Sequence, residues 1–183
     1  MTLRTIVKVD DDNPVLRGRA QTVPGVSRRI RDLMDDMVET IRDAEGVGLA
    51  APQVGLDLQV IVVEVPEDLE EPDGPKRLWT LANPRIVARS EAMEEGREAC
   101  LSIPDLFGDV PRHVDIVVEA VDRFGRTQRL ELSGFEARVF QHEIDHLDGI
   151  LYPDRVSGPD KLYYLEEDAE GNWVKVPVAA AGR

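Results

Sequence analysis

Phe135-Glu-Ala-Arg-Val139-Phe-Gln-His142-Glu143-Ile-Asp-His146-Leu147 decides how this chain arranges itself around its chemistry. Phe135, Val139, His142 and His146 fall at i, i+4, i+7 and i+11, one continuous stripe on a helix of 3.6 residues per turn. The two histidines therefore share the apolar, inward-facing side, and side chains four apart on a helix point the same way. Buried imidazoles need partners, and a single metal ion is the partner that serves both. In the order His-Glu-x-x-His, Glu143 sits beside the open face of such an ion. Its carboxylate can take a proton from bound water, which the ion acidifies from about 15.7 towards about 7. An isolated pattern of this kind recurs by chance in helices; the apolar stripe lifts this one above that background.

A hydrolytic site of this type takes three protein ligands and keeps one position for water, so a further donor must come from elsewhere. Cys100 is the leading candidate, in Glu98-Ala-Cys-Leu-Ser-Ile-Pro104, which reads as a short segment between strands. A lone cysteine is more often an inert core thiol, so this residue alone decides nothing. Asp145 and His113 are the other donors. Asp145 is turned by about 100° from His146 on an ideal helix, and His113 beside Arg112 reads as a strand-end surface residue. Arg112 reads as the structural partner of a nearby carboxylate such as Asp145.

Ile30, Leu33, Met34, Met37, Val38 and Ile41 set a second helical period over Ser27 to Ala44, with Ser27 placed as its cap and Gly46 past its end. Leu58 to Val65 is β-branched and mostly apolar, a buried strand. Leu81 to Ala88, Val114 to Val121 and Gln128 to Leu132 read as further strands, with Asp122-Arg-Phe-Gly125 as a hairpin turn and Trp173 to Val176 alternating again in the tail. Pro84 places the strand over Leu81 to Ala88 at a sheet edge. Trp79 and Trp173 read as core or edge packing. The pattern predicts an α+β architecture: antiparallel or mixed sheets packed around a central helix that carries the two histidines, with an N-terminal amphipathic helix.

The chain has 183 residues, which predicts one domain over 1–183. Twenty-two basic against 36 acidic residues give a net charge of -14, which argues against a general affinity for nucleic-acid phosphates or anionic lipid. Acidic clusters at Asp10-Asp12, Glu67-Glu71 and Glu166-Asp168 read as solvated loops. With one cysteine and neither a leader-like start nor a long apolar run, the expected setting is cytoplasmic.

Three stretches coincide with one family. Gly46-Val-Gly-Leu-Ala-Ala-Pro-Gln53, Glu98-Ala-Cys-Leu-Ser102 and Gln141-His-Glu-Ile-Asp-His-Leu147 resemble, in order, the signature motifs of peptide deformylases. The likeness extends to Asp12-Asn-Pro-Val-Leu16, Val110-Pro-Arg112 and Asp148-Gly-Ile-Leu-Tyr-Pro-Asp-Arg155. It implies an enzyme that removes the N-terminal formyl group from formyl-methionine of new polypeptides. By the same resemblance Cys100, His142 and His146 are metal ligands, Glu143 is the general acid/base, and Gln53 with the backbone N–H of Leu101 stabilises the oxyanion. Val47, Gly48, Glu98, Phe135, Val139 and His142 are the expected substrate-facing residues. Ferrous iron is the ion implied, with zinc, nickel or cobalt as replacements that the same donor set accepts. A monomer with transient ribosome contact is expected.

Two features depart from the family pattern. Ala99 stands where glycine is usual, and the tail is acidic and β-like where some relatives carry a basic helix that docks on the ribosome. The main alternative is a zinc peptidase, which needs a third histidine or glutamate ligand downstream; after His146 the chain offers no histidine, only Glu166, Glu167 and Glu170. Gly46-Val-Gly-Leu-Ala-Ala51 also fits a dinucleotide-binding pattern formally, but it follows a helix and is broken by Pro52. The stripe places Val139 and Phe135 successively further from the metal, with Val47 on the opposite wall. Val139→Asp is therefore expected to lower kcat/KM on formyl-Met peptides with metal content intact; an unchanged kcat/KM would refute the pocket.

Overall fold

The structure, a computed structural model, describes residues 2–178. A domain spanning 1–183 therefore reaches beyond the described residues at both ends. The first long element is helix α1, Arg28–Asp43, and Ser27 caps it by accepting the Ile30 N–H at 3.4 Å. A five-stranded antiparallel sheet follows the order β1-β2-β3-β6-β7, from Gly48–Ala50, Val60–Pro66, Lys76–Arg89, Asp115–Asp122 and Thr127–Ser133. A second antiparallel sheet has the order β4-β5-β8-β9, from Met93–Cys100, Ile103–His113, Leu162–Glu167 and Trp173–Pro177. Helix α2, Gly134–Leu147, carries both imidazoles of the motif.

Strand β2 explains how the layers assemble. Successive strand side chains point to opposite faces, so Val60 and Val62 join Met34, Met37 and Ile41 of α1 in one core, while Ile61, Val63 and Val65 join Phe140 and Leu147 of α2 in another. The strand is covered on both faces, which is why its sequence is apolar without alternation. Trp79 of β3 closes the second core edge-to-face on Phe140, ring centroids 5.3 Å apart. The α+β class with antiparallel sheets stands as expected.

Several local expectations need correction. Pro84 is not at an edge: β3 lies between β2 and β6, and the proline sits in a register shift between Ala82 and Arg85, where a bulge excuses its missing N–H. Cys100 is the last residue of β4 and opposes Ile103 of β5 across a tight hairpin. Glu166 and Glu167 belong to β8, and Trp173, at 70% exposed, packs in no core. Strands β4, β5 and β8 escaped the sequence pattern. Met93-Glu-Glu-Gly-Arg-Glu-Ala-Cys100 is charged on its exposed face and holds a glycine, both poor strand signals. Pro104 and Pro111 mask β5; β8 pairs only with Leu106, Phe107 and Gly108, so both prolines lie where that edge of β5 has no partner strand.

Two ties fix α2 over the sheets. Gln141 clamps the end of β5, its Oε1 accepting from His113 N at 3.1 Å and its Nε2 donating to His113 O at 2.9 Å. At the helix end Gly149 turns the chain at φ +72, pressed against the backbone of Arg17. A Cβ there would stand 2.5 Å from Arg17 O, a contact that real Cβ atoms do not make. Gly149→Ala thus combines positive-φ strain with a backbone clash and should cost roughly 2–4 kcal/mol, read as a lowered urea midpoint; a midpoint equal to the parent's would show that this turn is soft.

Candidate metal centre

The end of β4 and the inward face of α2 bring Cys100, His142 and His146 together, all buried, with one ligand atom of each within 4.8 Å of the others. Cys100 Sγ lies 3.4 Å from His146 Nε2. Thiolate and imidazole bound to one ion at roughly 2.3 and 2.0–2.1 Å with tetrahedral angles stand about 3.6 Å apart, so the spacing matches a shared ion. His142 donates from Nδ1 to Glu98 Oε2 at 2.9 Å, which turns its Nε2 towards the other two donors. The donor set is that of a first-row divalent metal, and the three residues fit one.

The surroundings hold these donors in place. Glu98 lies two residues before Cys100 on β4, so both side chains face inward. Its carboxylate receives Arg112 at 2.8 and 2.9 Å, Arg138 at 3.1 Å and His142. Burial alone would push Glu98 up, but these donors outweigh it and hold its pKa down to about 2. Arg112 continues to Asp145 Oδ2 at 2.6 Å, and Arg155 grips the same carboxylate. Tyr152 stacks on the His142 ring at 6.0 Å. Burial drives His146 well below the ordinary imidazole range. Burial also opposes charge on His142, yet hydrogen bonds with Cys100 and Glu98 hold it above that range.

Glu143 faces the same centre from α2. It is buried with Oε2 free of any hydrogen-bond partner among the described residues, and desolvation pushes its pKa up to about 7. Gly48 makes room for it: a Cβ there would stand 2.4 Å from Glu143 Oε1. Gln53 is oriented by Ala50, whose N–H donates to Oε1 at 2.8 Å, leaving Nε2 directed at Cys100 Sγ, 3.4 Å away, and at Ser102 Oγ. The backbone at Ala99 is not among the residues with positive φ, so alanine replaces glycine there without strain.

These groups open on a cavity of about 490 Å³ lined on one side by Phe135, Val139 and His142 and on the other by Val47, Gly48 and Leu101. The expected catalytic and substrate residues Val47, Gly48, Gln53, Glu98, Cys100, Leu101, Phe135, Val139, His142 and Glu143 line this cavity, with His146 beside Cys100 and His142, whereas His113 binds Ser90 O and Asp145 is spent on arginines. Glu98 lines the cavity, but its carboxylate points at Arg112, Arg138 and His142. Sequence reasoning missed Arg138 and Lys8, both at the cavity. Arg138 stands i−4 from His142 on the same face, a signal that was available; it donates to Val110 O at 2.8 Å and Glu94 O at 2.7 Å and fills the space beside Gly96. Lys8 donates to Leu101 O, a contact between distant segments that no local pattern announces.

A buried Cys/His/His cluster with an adjacent carboxylate and a side-chain amide, at the floor of an apolar cleft, defines a metal-dependent amide hydrolase. Comparison with known proteins narrows the class. The family profile described as polypeptide deformylase matches residues 3–162. The peptide deformylase of Thermomicrobium roseum is 44% identical over 93% of this chain and 95% of its own length. That of Symbiobacterium thermophilum is 46% identical over 93% of this chain and 73% of its own. The crystal structure of the Thermotoga maritima enzyme superposes with a TM-score of 0.78 at 35% identity, over 86% of this chain and all of that one (100%). The Synechococcus elongatus enzyme in complex with actinonin gives 0.75 at 39% identity, over 85% of this chain and 79% of that one. The chain belongs to the polypeptide deformylase family.

The Glu98 carboxylate also predicts an acid response. Its folded-state pKa of about 2 lies below the 4.5 of a free glutamate, so its contribution is complete above about pH 4.5 and is lost as pH falls towards about 2. With chelator present, the parent's unfolding free energy should fall more steeply across that window than that of Glu98→Gln. Parallel slopes in urea titrations would remove Glu98 from the acid response.

Proposed function

We propose that this chain forms a single catalytic domain, with α1 as its N-terminal amphipathic helix and α2 as the central carrier of the site, that hydrolyses the N-terminal formyl amide of formyl-methionyl nascent chains in the cytoplasm. The observation that carries this reading is the convergence of Cys100, His142 and His146 beside Glu143 and Gln53. Cys100, His142 and His146 would hold the divalent ion, ferrous iron under physiological conditions, with zinc, nickel or cobalt as substitutes. When bound, the ion supplies Lewis acidity to water and to the formyl carbonyl.

The rest of the reaction falls to the chain's own groups. Glu143, raised to about 7, is matched to both directions of proton transfer near neutrality: it accepts a proton from the attacking water and returns it to the leaving amine nitrogen. The tetrahedral oxyanion gathers donors from the Gln53 amide, already pointing to the Cys100 side, and from the Leu101 N–H; one such donor is worth roughly 10²–10³ in rate. The methionine side chain occupies the cleft between Phe135, Val139 and Val47, its thioether suited to an irregular apolar wall. Glu98 acts through His142. The protein works as a monomer with only transient ribosome contact.

Protein purified without oxygen should contain about one divalent metal per chain and release formate from formyl-Met-Ala-Ser. Chelation should abolish turnover and metal re-addition restore it. Full activity after complete metal removal would overturn the reading.

A further inference from the structure

The cavity at the metal centre continues past its own rim. Arg97, Asp105 and Phe107 line it and also line a second trough of about 580 Å³, whose far side is built by the β8–β9 hairpin with Leu165, Glu166 and Trp173. Strand register makes this one surface. Arg97 opposes Asp109, Phe107 opposes Tyr163 and Glu167 opposes Trp173, so side-chain alternation puts Arg97, Phe107, Leu165 and Trp173 on the same face of the four-stranded sheet. From β4 to β9 the face spans three inter-strand steps, about 14 Å, which an extended peptide at about 3.3 Å per residue crosses in about four residues.

The chemistry of the trough selects its occupant. Trp173 presents an indole that is 70% exposed, the best side-chain surface for a cation. The Asp105 carboxylate lines it, and the alternation that places Trp173 there places the Glu167 carboxylate on the same face, in a chain of net charge -14. Two cations share this face and both are engaged: Arg97 is drawn over the Phe107 ring, 5.8 Å from its centroid, and Lys175 donates to Asp109 Oδ2 at 2.7 Å.

Resting on the deformylase reading above, we propose that this trough is a distal subsite for the substrate: it takes the segment about four to six residues beyond the formyl-methionine and favours a lysine or arginine there. The β8–β9 hairpin is thereby part of the substrate surface. The subsite acts on capture and leaves the reaction at the metal centre untouched.

The test compares formyl-Met-Ala-Ser with two formyl-Met octapeptides that differ only in carrying lysine or glutamate in the fifth and sixth places. At low salt the lysine octapeptide should exceed the glutamate one in kcat/KM by about two- to fivefold through KM, and the advantage should shrink as salt is added. Trp173→Ala should erase the advantage and leave turnover of formyl-Met-Ala-Ser unchanged, whereas Trp173→Phe should retain much of it. Equal kcat/KM for the two octapeptides overturns the subsite alone, as does a Trp173→Ala variant that slows the short peptide as much as the long one. If Trp173→Ala instead dissociates a dimer in sedimentation without altering peptide preference, the trough serves a second copy of the chain and the proposal falls. Absence of formate from every peptide overturns the deformylase reading and the subsite together.

Discussion

One carboxylate holds the centre of this molecule in order. Glu98 reaches from β4 to Arg112 of β5 and to Arg138 and His142 of α2, so a single buried anion joins both strands of a hairpin to the helix that carries two of the three candidate metal ligands. A buried carboxylate with fewer donors would be a liability, because its desolvation would go uncompensated. Here its oxygens are saturated, and Arg112 passes the arrangement on to Asp145 and thence to Arg155. The charges are costly to bury and cheap only in this geometry, which makes the network a device for fixing position more than a source of stability.

The helices and the apolar strands were legible because burial imposes a period on sequence. The α1 stripe and the run in β2 record which faces are covered, and Ser27 marks its helix end through its own hydrogen bond. Strands β4 and β5 were not legible for a related reason. One carries charge on an exposed face, the other carries prolines along an edge that β8 covers only in part, and neither condition leaves an alternating apolar trace. Missing β4 also hid what Glu98 does: expected to face the substrate, it holds Arg112, Arg138 and His142. Once Cys100 is seen as a strand residue, the residue two before it must face the same way.

The site itself was legible in its residue types and only partly in its wiring. Cys100 was already the leading donor over Asp145 and His113, and the fold shows where those two go instead, Asp145 to arginines and His113 to Ser90. Gly48 was legible as part of a glycine-rich loop, but the reason for it is a contact nearly a hundred residues away in sequence, with the carboxylate of Glu143. Pairings of this kind appear only when the chain is closed on itself.

The placement of the ligands has a mechanical consequence. One donor hangs from the four-stranded sheet and two from the helix seated on the five-stranded sheet, so an ion gripped by all three would rivet together parts of the fold that otherwise meet through packing and the Glu98 network. Occupancy and heat resistance are then linked: the loaded chain resists unfolding by an amount set by free ion concentration over its dissociation constant. Loss of such an ion would then loosen the seam between the two sheets.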